Sequence, residues 1–183
     1  GYVSLQLTAK GDGGHSSTPS RNSAIGRLAR GLARLDTQPL PAQLIEPVGT
    51  MLDQLAPHMG WLNRFFIANR WLFEPLLLDS LASSRTTNAL IRTTTAPTML
   101  RAGVKDNVLP STASATVNFR ILPGQTIESV TDAVRGLIDD PAVTIEPIDV
   151  FGSNPPPLSD ASSPAFMRIR AAIHRSFPEA VVA

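Results

Sequence analysis

Two stretches of strict alternation constrain this chain more than anything else in it. From Tyr2 to Lys10, Val3, Leu5, Leu7 and Ala9 fall on one side, and Ser4, Gln6, Thr8 and Lys10 on the other. From Thr112 to Ile121, Ala113, Ala115, Val117, Phe119 and Ile121 face a core, while Thr112, Ser114, Thr116, Asn118 and Arg120 face away from it. A period of two is that of a strand with one buried and one wet face. Both stretches therefore predict half-buried strands, which need helices to cover their apolar side.

Those helices are legible nearby. After the glycine-rich loop Gly11-Asp12-Gly13-Gly14-His15-Ser16-Ser17 and Pro19, Ile25, Leu28, Leu32 and Leu35 recur at helical spacing. Arg21, Arg27, Arg30 and Arg34 take the opposite face, and Ser20 or Asn22 is the expected N-cap. Further on, Thr126 caps a second helix with apolar face Ile127, Val130, Val134 and Leu137, ended by Asp140-Pro141. The β-branched sequence 88–101 predicts a strand, clearest over Leu90-Ile91-Arg92-Thr93-Thr94-Thr95, and a loop follows at 103–110. A last strand is expected from Val143 to Val150, where Pro147 points to a sheet edge or a bulge.

The order β-α-(insert)-β-β-α-β, with right-handed crossovers, predicts an α+β, ferredoxin-like sandwich: a four-stranded antiparallel sheet with both helices on one face. The insert, residues 39–85, opens with Pro39, Pro41 and Pro47 and holds Met51, Leu52, Trp61, Phe65, Phe66, Trp71, Phe73 and the Leu76-Leu77-Leu78 run. It is expected to form two short helices that cover, or are covered by, something. Packing is its ordinary reading, and an acyl-chain or partner surface the sharper one. Asn154-Pro155-Pro156-Pro157 reads as a linker, and a helix over 164–177 has no evident place in the sandwich.

The 183 residues suit one domain with appendages. A net charge of +1 gives no electrostatic case for nucleic acid or a membrane surface, and no apolar run reaches the roughly 18 residues of a membrane span. With no cysteine there is no disulfide framework or thiol nucleophile. The start at Gly1, without Met or signal peptide, reads as a piece of a longer protein.

Of the histidines, His58 and His174 read as helix-face residues, and none of the three lies in a metal-ligand spacing. There is no G-x-S-x-G elbow, and the glycine loop lacks the pattern of a phosphate or dinucleotide site. His15 stands apart, at a strand end in a loop whose glycines let backbone approach a ligand or partner. An RNA-binding sandwich would carry stacking aromatics on its open face, but Thr112, Ser114, Thr116, Asn118 and Arg120 offer none. A ferredoxin-like regulatory module that binds a small molecule is the stronger rival.

Three blocks, in order, carry a resemblance. They are Gly13-Gly14-His15-Ser16-Ser17-Thr18-Pro19; then Asn88-Ala89-Leu90-Ile91-Arg92-Thr93-Thr94-Thr95-Ala96-Pro97-Thr98-Met99; then Lys105-Asp106-Asn107-Val108-Leu109-Pro110 with Val117-Asn118-Phe119-Arg120-Ile121-Leu122-Pro123-Gly124. Over residues 1 to about 150 the chain resembles the dimerisation (lid) domain of the di-zinc carboxypeptidase and aminoacylase family, most closely its Gly-X carboxypeptidase and N-acyl-amino-acid hydrolase branch. The resemblance implies that His15 reaches into the active site of a partner subunit and stabilises the oxyanion. It implies that Asn107 and Arg120 hold the substrate carboxylate. It also implies a homodimer, a lid spanning 1–151, a tail from 152 to 183 that returns toward a catalytic domain, and two zinc ions bound by that domain and not by this chain. The expected substrate is a small peptide or N-acyl amino acid with a free carboxylate.

Overall fold

The computed structural model describes residues 1–148 and 152–182. In chain order the elements are β1 (Tyr2–Lys10), β2 (Gly14–His15), α1 (Ala24–Thr37), α2 (Glu46–Leu55), α3 (Trp61–Ala68), α4 (Arg70–Ala82), α5 (Arg85–Ile91), β3 (Thr94–Ala102), β4 (Val108–Leu109), β5 (Thr112–Arg120), α6 (Ile127–Ile138), β6 (Val143–Pro147) and α7 (Pro164–Ser176). They form two compact units, Gly1–Pro41 with Arg92–Pro155, and Ala42–Ile91 with Pro156–Ala183.

The first unit is the expected sandwich. Its sheet runs β3-β5-β1-β6, every pair antiparallel. The alternation read from the sequence becomes its inner face: Val3, Leu5, Leu7, Ala9, Val117 and Phe119 are fully buried, and Ala113, Ala115 and Ile121 nearly so. Against them pack Leu28 and Leu35 of α1 and Val130, Val134 and Ile138 of α6, so both helices cover the same side. Pro147 falls on the edge strand β6, where a missing N–H costs no ladder bond on the outer side. Asp149 and Val150, the expected end of that strand, lie outside the described residues.

Local chemistry sets where the helices begin. Ser23, not Ser20 or Asn22, caps α1, its hydroxyl accepting from the Gly26 N–H at 3.2 Å. Ser20 instead donates to Asp12 in the preceding loop. Starting at Ala24 rotates the buried stripe to Ala24, Leu28, Gly31 and Leu35 and leaves the expected Ile25 half exposed. The α6 cap is as read: Thr126 accepts from Ser129 N–H at 3.1 Å and Ser129 Oγ accepts from Thr126 N–H at 2.9 Å.

The segment before β3 departs from expectation. Asn88–Ile91 closes helix α5, and the strand begins only at Thr94. Two tertiary pins outweigh the β-propensity of this stretch. Ile91, fully buried, joins Val48, Leu52 and Ile67 in the small core of the second unit. The buried Thr93 hydroxyl donates to Gln125 and accepts from Leu122 N–H, fixing the chain as it enters the sheet. The second unit thus holds four helices over 42–91 rather than two, with a 3-10 turn at Ala56–His58. Trp61 and Trp71 in it remain 79% and 78% exposed.

Phe119→Ala removes the largest fully buried side chain of the sandwich and should destabilise it by about 3–5 kcal/mol. Ser23→Ala should cost about 1 kcal/mol. Urea unfolding followed by circular dichroism would check both values.

Candidate functional site

The expected site residues sit at two places in the sandwich unit. Beyond Lys10 and before Thr112 the chain leaves the sheet and forms a separate two-stranded ribbon, β2 against β4. In it Gly14 pairs with Leu109 and His15 with Val108, and Ser16 N–H donates to the Asn107 carbonyl at 3.2 Å. His15 thus lies opposite Val108 and Asn107 opposite Ser16, so His15 and Asn107 occupy diagonal positions of the ribbon, both exposed. They are 92 positions apart in sequence, and the ribbon is what unites them.

Two glycines make that ribbon possible. A Cβ on Gly11 would overlap the backbone of Asn22 and Ala24, where the loop runs against the start of α1. Gly14 has φ of 153°, which residues with a side chain rarely adopt. The loop glycines are thus accounted for within the chain itself, without a ligand.

The His15 ring has a defined orientation. Ser17 N–H donates to Nδ1 at 3.2 Å, and Ser17 Oγ lies 2.9 Å from the same nitrogen. A nitrogen that accepts from a backbone N–H carries no proton, so the neutral ring holds its hydrogen on Nε2. Among the described residues no hydrogen bond engages Nε2.

Arg120 ends β5 at the other extremity of the sheet, opposite Tyr2 on β1 and Thr94 on β3. Eight residues of extended strand separate it from Thr112, a length of about 27 Å. One chain therefore does not bring Arg120 to His15 and Asn107. The Arg120 side chain lies on the open face, away from the helices, its guanidinium carbon 4.8 Å from the centre of the Tyr2 ring. Among the described residues the ion pairs are Arg27–Asp140, Arg70–Asp53 and Arg135–Asp132, so Arg120 has no carboxylate partner there. The open face next to Tyr2 forms a groove of about 620 Å³ of mixed character, lined by Ser4, Gln6, Arg101 and Thr116 together with Met99 and Ile148 among others.

No three His, Asp or Glu side chains gather closely enough to hold a metal ion among the described residues. Nor is any helix there long and apolar enough to cross a membrane.

Residues 1–146 match the model of the peptidase dimerisation domain. The chain belongs to that family. Among its relatives, the N-fatty-acyl-amino acid synthase/hydrolase PM20D1 of Homo sapiens is 38% identical over 98% of this chain and 36% of that protein. The probable carboxypeptidase S-like 2 of Dictyostelium discoideum is 38% identical over 100% of this chain and 35% of its own length. The chain thus spans about a third of these relatives. Among solved structures, an M20 family metallo-carboxypeptidase of Sulfolobus solfataricus superposes with a TM-score of 0.57 at 13% identity, over 99% of this chain and 50% of that one. Human carnosine dipeptidase 1 gives 0.52 at 12% identity, over 97% and 41%. These two likenesses concern the fold.

Within the dimerisation domain, sequence reasoning missed Ser17 and Tyr2. Ser17 lies two residues from His15, a spacing at which a hydroxyl and an N–H can return to the ring. Tyr2 becomes a neighbour of Arg120 only through the β1–β5 register.

Gly11→Ala should destabilise the sandwich by more than about 1 kcal/mol. Gly136→Ala, on the exposed side of α6 with nothing within 4 Å of the added carbon, should stabilise it by about 0.5–1 kcal/mol. Chemical denaturation of the two variants side by side tests whether the ribbon loop is held by backbone contact.

Proposed function

We propose that this dimerisation domain is the lid of a metal-dependent amidohydrolase or peptidase that cleaves the amide bond of an N-acyl amino acid or small peptide with a free carboxylate. Relatives whose names specify N-fatty-acyl amino acids and a carboxypeptidase support that substrate class. The observation that carries the reading is the division of the candidate residues between the two ends of one sheet.

A dimer resolves that division. Strand β3 is a nine-residue edge, exposed from Ala96 to Ala102, and an unpaired edge is a template for a second chain. Pairing β3 antiparallel with its copy, about a two-fold axis through the strand, sets Ala102 of one subunit beside Thr94 of the other. The ribbon end of one sheet then meets the Arg120 end of the other. Pro97 donates no hydrogen bond, so the seam is interrupted there.

Each composite site would draw Arg120 from one subunit and His15 with Asn107 from its partner. His15 donates through Nε2–H to the scissile carbonyl oxygen as it gains negative charge, which is worth about 2.7–4 kcal/mol for one well-placed donor. Arg120 offers two parallel N–H groups to the carboxylate, and the Asn107 amide adds a further donor. Two zinc ions bound in a separate catalytic domain would supply the activated water; among the described residues of this chain no set of His, Asp and Glu gathers to hold them.

In the enzyme that carries this lid, His15→Ala should lower kcat by about two to three orders of magnitude with metal content unchanged. Arg120→Ala should chiefly raise KM for carboxylate substrates, by about ten- to a hundredfold. An unaffected kcat in the first variant, or equal losses on an uncharged amide in the second, would contradict the assigned roles.

A further inference from the structure

Arg120 is exposed, ends its strand and has no ion pair among the described residues. A long side chain in that situation ordinarily samples several rotamers, and ordering it on a ligand costs entropy. Here it lies over an aromatic face whose own position is fixed at several points. The Tyr2 backbone is held on one side by pairing with Arg120 itself. On the other side Tyr2 N–H donates to the Ser153 carbonyl at 2.8 Å, and Ser153 N–H donates to the Tyr2 carbonyl at 2.9 Å. The Tyr2 hydroxyl lies 3.1 Å from Ser4 Oγ, which also accepts from the Asn118 amide at 3.2 Å. Ser4 is only 8% exposed, so this anchor is largely shielded from water.

We propose that Tyr2 is a positioning residue for substrate carboxylate binding. The backbone pairing of Tyr2 with Arg120 and Ser153 sets the place of the ring, the hydroxyl bond to Ser4 adds to it, and the ring face holds the Arg120 guanidinium on the open face of the sheet. Stacking on a ring face satisfies the cation without consuming an N–H, so the whole fork stays available for a carboxylate. A carboxylate partner such as Asp or Glu at this place would hold Arg120 equally still but would compete with the substrate. The inference rests on the reading of Arg120 as the carboxylate-binding residue.

The test has two arms. In the 183-residue chain, the Arg120 Nε–H resonance should show the upfield shift of a group above an aromatic ring. That shift should persist in Tyr2→Phe and vanish in Tyr2→Leu. In the enzyme carrying this lid, Tyr2→Leu should raise KM for a carboxylate substrate about three- to fivefold with kcat within about twofold. Tyr2→Phe should restore KM to near the parent value, and Tyr2→Leu should have no further effect on an Arg120→Ala background. A ring-current shift absent from the parent chain would overturn the stacking. So would a Tyr2→Leu effect that survives in the Arg120→Ala background, or an unchanged KM in Tyr2→Leu where Arg120→Ala raises it. If Arg120→Ala leaves KM unchanged while the resonance behaves as expected, the carboxylate reading fails, and with it the role in substrate binding, although the stacking itself stands.

Discussion

The pairing of β1 with β5 is the constraint on which the rest depends. Nine residues of each strand lie in uninterrupted antiparallel register, from Tyr2 opposite Arg120 to Lys10 opposite Thr112. Because side chains alternate, this one register sends Val3, Leu5, Leu7 and Ala9 to the same face as Ala113, Ala115, Val117 and Phe119. A slip by one residue would put the polar set under the helices. The apolar face then dictates where α1 and α6 dock, and the opposite face is left polar and open.

The same register fixes the two ends of the sheet. At the Lys10–Thr112 end both strands run on into the β2–β4 ribbon, which puts His15 opposite Val108, the residue next to Asn107. At the other end Arg120 settles on Tyr2. The rigidity that separates these groups also makes them precise: His15 and Arg120 are carried by hydrogen-bonded strand and Asn107 by the turn that leads into β4, and Ser17 sets the protonated nitrogen of His15. In the second unit Trp61 and Trp71 stay open to solvent.

Much of this was legible in the sequence because alternation and helical spacing are local signals tied to burial. Both long strands of the central pair, the α6 cap at Thr126 and the edge position of Pro147 follow from them. What escaped depends on contacts between distant residues. Asn88–Ile91 has strand-like composition, yet Ile91 finds a buried place in a helical core and Thr93 is pinned by Gln125 and Leu122. The α1 cap moved to Ser23 because Asp12 engages Ser20. Of the site, His15, Asn107 and Arg120 came from a resemblance carried by motifs. Their distribution over two ends of the sheet, and the partners Ser17 and Tyr2, needed the strand register, which no local pattern encodes.

The most direct test of a site shared between subunits is complementation. His15→Ala and Arg120→Ala subunits of the enzyme carrying this lid would be mixed, re-associated and assayed at a carboxylate-substrate concentration well below the parent KM, where each variant alone is strongly impaired. A mixed dimer built as described contains one composite site with both residues intact and one with both lost, so activity should return to about half the parent value per mixed dimer. If all three residues served the same subunit's site, every site in the mixed dimer would carry one lesion. Activity would then stay at the level of the separate variants, and the shared site would be refuted.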